Sequence, residues 1–180
     1  MAKKSDIKSI NPIDIGPVVS ASHLASGAMP SISEMEFALT VVNNAFSRWM
    51  VRCMTAVGYA GMAPVDVLVL HSVNHREREK TLSDICLVLN IEDTHVVTYA
   101  VKKLTGLGLV KSGKRGKEKI VSITEEGADA CNRYRDVREA LLISSIKSMG
   151  LEEGEVSRIA AMLRALSGQY DQASRGAASL

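Results

Sequence analysis

The amino-acid sequence predicts a mainly α-helical chain with one small β-hairpin. Three observations carry that fold class. Apolar residues recur at three- and four-residue spacing over most of residues 33–170, the period of helices that bury one face. The period breaks at residues 109–123, where two short runs rich in Val, Ile and Ser flank a glycine-bearing basic stretch. Capping residues, prolines and glycines stand where such helices would begin and end. The resulting order is that of a winged helix-turn-helix with long helices on either side.

The first 32 residues hold Pro12, Gly16, Pro17, Gly27 and Pro30 among many Ser and Ala, so no period survives there. They read as an arm, loose or ordered by docking on a partner subunit. A long amphipathic helix should begin at Ser33, which with Glu36 makes an S-x-x-E capping box. Phe37, Val41, Val42, Ala45, Trp49, Cys53 and Val57 follow at helical spacing, and Gly58 and Gly61 close it. Pro64 suits the first turn of a second helix, with Val65, Leu68, Val69 and Val73 inward and the charged run His75 to Lys80 at its end. Thr81 and Asp84 cap a short third helix whose Leu82, Ile85, Cys86 and Leu89 face the core.

After a turn at residues 90–94, a fourth helix spans about 94–107, with Val97, Val101 (or Ala100) and Leu104 inward and Gly108 at its end. Leu109-Val110-Lys111-Ser112 and Lys119-Ile120-Val121-Ser122-Ile123 are expected as two strands joined by a flexible tip, residues 113–118, with Gly113 and Gly116 turning the chain. Thr124 caps a long helix, with Glu125 and Glu126 in its positively polarised first turn. That helix carries Ala128, Cys131, Val137, Leu141, Leu142, Ser145 and Met149 up to Gly150. A last helix is expected over 152–170 with Val156, Ile159, Ala160, Leu163 and Leu166 on one side, and a frayed end.

Composition narrows function. Cys53, Cys86 and Cys131 are few and scattered, which argues against a disulfide framework and a zinc site and fits a reduced, cytoplasmic chain. No run of about 18 apolar residues offers a membrane span. No phosphate loop, paired-cysteine motif or catalytic triad stands out, so no enzyme, cofactor or metal site is expected. His71 and His75 are spaced for one helix face but lack supporting ligands. Net charge is only +2, yet residues 93–119 carry seven Lys/Arg against Asp93 and Glu118. One basic segment on an otherwise slightly acidic chain points to a surface that meets a polyanion.

The second helix of a helix-turn-helix enters the DNA major groove, so its outward face must be polar. Counting from Val97, Val101 and Leu104, the outward face of the fourth helix carries Thr94, His95, Thr98, Tyr99 and Lys102. Thr and His can hydrogen-bond to bases, and Lys102 can reach phosphate or guanine. Lys114, Arg115 and Lys117 project from the hairpin tip, with Arg115 the candidate for insertion into a minor groove.

The segment from Pro64 to Gly127 resembles the winged-helix regulators of the multiple-antibiotic-resistance regulator (MarR) family. The resemblance rests on Leu82-Ser83-Asp84-Ile85, on Val97 through Leu104, on Leu104-Thr105-Gly106-Leu107-Gly108-Leu109-Val110 leading into the wing, and on Ile123-Thr124-Glu125-Glu126-Gly127 leading out of it. Lys117-Glu118-Lys119 departs from the family's Asp-x-Arg wing element, and the turn before the fourth helix is a residue longer, which indicates a divergent branch.

The resemblance implies a DNA-binding transcriptional regulator, with double-stranded DNA and a small-molecule effector as partners. Trp49, Met50 and Met54 are candidate lining for the effector, with packing in the core the competing reading that their apolar character favours. The expected organisation is an arm at 1–32, a dimerisation helix at 33–62, the DNA-binding domain at 63–124 and further dimerisation helices at 125–180. The apolar stripes of the flanking helices exceed what a winged unit can cover, which predicts a homodimer and a pseudo-palindromic site. The competing expectation is a winged helix whose basic wing meets an acidic protein.

Overall fold

The structure, a computed structural model, describes residues 16–180, and by its contacts the chain divides after Met50 into two units. In the first unit Ser22–Ala25 form one 3-10 turn, and helix α1 (Pro30–Ala56) begins soon after. Proline has no N–H to leave unpaired at a helix start, so α1 opens at Pro30, three residues ahead of the expected position. Ser33 therefore lies inside the helix rather than at its cap, and its hydroxyl donates to the Leu24 carbonyl at 2.5 Å. The Val18 amide donates to the Glu34 carboxylate at 3.3 Å. Residues 16–29 of the expected arm are thus tied back onto α1, while residues 1–15 lie outside the described residues. Val41, Val42 and Phe46 form an exposed apolar stripe on α1.

The second unit is the winged domain with its C-terminal helices. Its helices are α2 (Pro64–Asn74), α3 (Leu82–Leu89), α4 (Thr94–Gly106), α5 (Glu125–Arg138), α6 (Ser144–Ser148) and α7 (Glu153–Ala177). Strands β1 (Lys80–Thr81), β2 (Val110–Arg115) and β3 (Glu118–Ile123) form an antiparallel sheet in the order β1-β3-β2. Helix α2 packs on α3, α4, α5 and β3, and so is covered on more than one side. For that reason the expected stripe is rotated. Val67, Val69, Leu70 and Val73 are wholly buried, whereas Val65 and Leu68 are half-buried.

The charged run after α2 does more than end a helix. Arg76 takes a left-handed φ of +62°, and Lys80 turns inward to become buried in β1. Its ammonium donates to the His75 carbonyl at 2.6 Å and the Val73 carbonyl at 3.3 Å, capping the carbonyl end of α2. The Thr81/Asp84 box forms as expected, with the Thr81 hydroxyl accepting the Asp84 amide at 3.0 Å and the Asp84 carboxylate accepting the Thr81 amide at 2.8 Å.

At the far side of the wing, the Thr124 hydroxyl donates to the Gly108 carbonyl at 2.7 Å and accepts the Gly127 amide at 3.0 Å. Gly127 is there because nothing larger fits. A Cβ at this position would stand 2.0 Å from the Leu109 carbonyl oxygen and 2.7 Å from Ile123 Cδ1.

The helix after the wing is not uninterrupted. A π-type turn over Glu139–Ile143 separates α5 from α6, and the wider turn shifts the face, so Leu141 and Met149 are exposed. Ala130, Cys131 and Tyr134 form the buried face of α5. Helix α7 runs to Ala177, well past the expected end, and buries none of its residues.

The three thiols are free and buried, and burial pushes the Cys131 thiol up to about 11 and raises Cys53 as well. Met50 and Met54 are buried and Trp49 is half-buried. His71 packs its ring edge-on against Tyr134 at 4.6 Å, while His75 is exposed, so the two histidines do not share a face.

Gly127→Ala should destabilise the protein by about 3 kcal/mol, because the opposing atoms are backbone and cannot step aside. Calorimetry should record a midpoint lower by roughly 6–12 °C; an unchanged midpoint would contradict the packing described. Burial lowers the His71 pKa below the ordinary 6.5, and its Nε2 has no hydrogen-bond partner among the described residues. As pH falls below that value the unfolded chain takes up the proton first, so stability present above pH 6.5 is lost on acidification. Thermal midpoints of the parent should fall more between pH 7.5 and 5 than those of His71→Phe.

Candidate nucleic-acid interface

Helix α4 is built from its cap outward. The Asp93 carboxylate accepts the His95 amide at 2.8 Å, and Asn90, in the left-handed region at φ +52°, ends α3 just before it. Val97, Val101 and Leu104 are wholly buried and Ala100 is 2% exposed, with α4 packed on α2 and α3. At about 100° per residue, Thr94, His95, Thr98, Tyr99 and Lys102 fall within one arc of about 140° on the opposite side. Thr94, His95, Tyr99 and Lys102 are exposed and Thr98 is half-buried.

Each outward residue is left with chemistry to offer. The Thr98 hydroxyl donates back to the Thr94 carbonyl at 2.9 Å, which leaves its oxygen as an acceptor. The His95 backbone serves the cap and its ring is free to meet a ligand. Tyr99 is 72% exposed, a large aromatic that packing does not explain.

The wing differs from the flexible tip that its glycines suggest. Its ladder continues to Arg115 and Glu118, so only Gly116 and Lys117 turn the chain, with Gly116 at φ +64°. Gly113 is not part of the turn. It sits opposite Ile120, whose Cγ1 and Cδ1 would lie 3.4 and 3.5 Å from an added Cβ. The register also sorts the basic residues, because successive side chains on a strand point to opposite faces. Lys114 pairs with Lys119 on one face, and Arg115 pairs with Glu118 on the other, which it shares with Lys111. Lys114 and Arg115 therefore leave the hairpin on opposite faces.

The wing gathers like charge. Lys114 and Lys119 stand directly opposite each other, an arrangement that costs stability without a counter-charge. The Arg115–Glu118 ion pair is long, 3.9 Å, between side chains 62% and 64% exposed, so it holds Arg115 only weakly. Asp84 is held below the usual carboxylate range first by its Thr81 hydrogen bonds, and also by the nearby cations of Arg78 and Arg115.

Sequence reasoning counted Lys119 in the basic segment but did not pair it with Lys114, which takes the strand register. It also missed Lys103, whose ammonium lies 2.7 Å from both the Asp66 carboxylate and the Gly61 carbonyl.

Residues 62–127 match the family model of the winged helix DNA-binding domain. The chain is a winged-helix protein of the MarR-like fold, as its similarity to solved structures shows. A mutant MarR from E. coli complexed with operator DNA has a TM-score of 0.62 at 18% identity, covering 78% of this chain and 99% of that one. A MarR family regulator from Neisseria meningitidis has a TM-score of 0.60 at 17% identity, covering 79% and 95%. CouR from Rhodococcus jostii RHA1 bound to p-coumaroyl-CoA has a TM-score of 0.57 at 17% identity, covering 73% and 90%. At these identities the likeness is one of fold. No curated protein sequence matches the chain.

Proposed function

We propose that this protein is a homodimeric, sequence-specific regulator of transcription that binds double-stranded DNA in the cytoplasm. One observation carries the reading. The polar face of α4 and the paired lysines of the wing stand exposed on one winged unit, and paired like charge of this kind is favoured when a polyanion supplies the counter-charge. In the complex, α4 lies in the major groove with Thr94, His95, Thr98 and Tyr99 at base edges and Lys102 at phosphate. The wing lies along the adjacent minor groove, with Arg115 inserted and Lys114 and Lys117 on the backbone. The match to a winged helix DNA-binding model and the operator-bound E. coli relative support this placement.

Two copies are needed to cover the apolar faces that one copy leaves open. Val41, Val42 and Phe46 on α1, and Val156, Ile159, Met162 and Leu163 on α7, are all exposed in a single chain. Twofold pairing sets two α4 helices about 34 Å apart and requires a pseudo-palindromic operator. A small-molecule effector would shift such a dimer between DNA-competent and incompetent states, a role supported by the ligand-bound relative CouR.

Duplexes selected from a random pool by the purified protein should share a pseudo-palindrome. Affinity for them should fall steeply with salt as bound lysines displace counterions. Lys114→Ala, Arg115→Ala or Lys117→Ala should weaken binding across sequences and reduce the slope of log affinity against log salt by about 1 each. Thr98→Ala or His95→Ala should change base preference instead, by about 1–3 kcal/mol at the affected pair. Wing variants that bind duplex as tightly as the parent would hand the basic wing to an acidic protein partner. Separately, Ile159→Glu should convert a dimer to a monomer in sedimentation velocity and abolish tight binding to the palindrome.

A further inference from the structure

We infer that Lys103, although it lies in the basic segment of α4, is not a DNA ligand but a positioning residue that fixes the rotation of the helix through Asp66. This inference rests on the DNA-binding reading of α4. Lys103 donates to the Asp66 carboxylate at 2.7 Å and to the Gly61 carbonyl at 2.7 Å. Asp66 is 5% exposed in its side chain, sits in the first turn of α2, and also accepts the Ala63 amide at 2.7 Å. The carboxylate is therefore immobile. It lies where the positive end of the α2 dipole favours it, and Lys103 lies near the negative end of α4. Gly61, with φ +77°, belongs to the turn that leads into α2. One ammonium thus ties the C-terminal half of α4 to the start of α2 and to the loop before it.

The helix needs such a tie in one direction only. Turning α4 by one residue one way would bring Thr98, Lys102 and Thr105 into the core beside Val101, which burial of polar groups forbids. Turning it the other way would bring in Val96, Tyr99, Ala100 and Lys103, three of them apolar or aromatic. Hydrophobic burial alone discriminates weakly against that second setting, which would take Tyr99 out of the groove face. Lys103 sits at that edge. Held by Asp66 and Gly61, its charge cannot follow the rotation inward without leaving a buried carboxylate unpaired.

The test turns on sign. Asp66→Asn removes a negative charge from a DNA-binding domain, and simple electrostatics would make binding tighter. A positioning role makes it weaker. We expect Asp66→Asn and Lys103→Gln each to lose about tenfold or more in affinity for the selected palindrome and much less for random duplex. The double variant should be no worse than the poorer single one, and Lys103→Arg should retain binding. The salt slope of Lys103→Gln should match the parent's, whereas a lost phosphate contact would lower it by about 1. Asp66→Asn binding as tightly as the parent, or a reduced slope in Lys103→Gln, would overturn the assignment. Amide hydrogen exchange separates this from the DNA reading itself. If the parent binds no duplex, the DNA reading fails, and the clamp is judged by exchange alone. Faster exchange over residues 98–104 in both single variants upholds it, and unchanged exchange refutes it.

Discussion

Everything outward-facing in the winged unit depends on the burial of Val97, Ala100, Val101 and Leu104 against α2 and α3. These four side chains occupy one stripe of a 13-residue helix. At about 25 cal/mol per Å² of apolar surface, their burial supplies the main force that seats α4. Because the helical period is fixed, seating the stripe also decides which residues point away from the core. Burial of the stripe puts Thr94, His95, Thr98, Tyr99 and Lys102 outward, and the Lys103–Asp66 tie holds that setting against rotation. Recognition in this architecture is therefore a by-product of packing, and a change in the core of α2 reaches the groove-facing side without touching it.

The wing is fixed by a second constraint at its root. Leu109 is buried, its carbonyl accepts the Thr124 amide at 3.2 Å, and Gly127 lets that carbonyl approach α5. Thr124 thus joins the end of α4, the base of the hairpin and the first turn of α5 in one knot. β1 adds a third strand, paired Lys80 with Val121 and Thr81 with Ile120, so the middle of β3 is braced on the α3 side. A charged hairpin braced in this way holds Lys114 and Lys119 together despite their repulsion.

Legibility in the sequence follows from how local each determinant is. The buried and outward faces of α4, the Thr81/Asp84 box and the Thr124 cap were all readable, because each depends on residues within one or two turns. Gly127 was readable as a motif position, though its cause, the Leu109 carbonyl, lies 18 positions away in the chain. What was not readable required a partner strand or helix. A two-residue strand such as β1 has no period, so Lys80 looked like one more surface charge. The expected wing loop was too long because Gly113 has two uses in a strand, turning and making room, and only the Ile120 opposite it tells them apart. The Ser33 box matched the capping pattern but lost to Pro30, which starts the helix earlier. Among the outward residues of α4 and the wing tip, local pattern placed the side chains on the surface, but the opposition of Lys114 and Arg115 came from register.

The C-terminal helix raises the remaining physical question of how a 25-residue helix with no fully buried residue stays helical. Isolated helices in water are marginal unless an apolar face is covered, since propagation barely repays the entropy of ordering. Glu152 to Glu155 capping at 3.1 Å contributes at most about 1–2 kcal/mol, too little by itself. Ile159, Met162 and Leu163 lie exposed together, at the spacing of one helix face. Under the proposed dimer that face meets its twin, and the energy that orders α7 is the energy of association. Folding of the C-terminal third and assembly then become one event. In that dimer the separation of the two α4 helices, on which reading a palindrome would depend, would be set by helices distant in sequence from α4. An effector that loosens those helices would change DNA affinity without approaching Thr98 or Arg115.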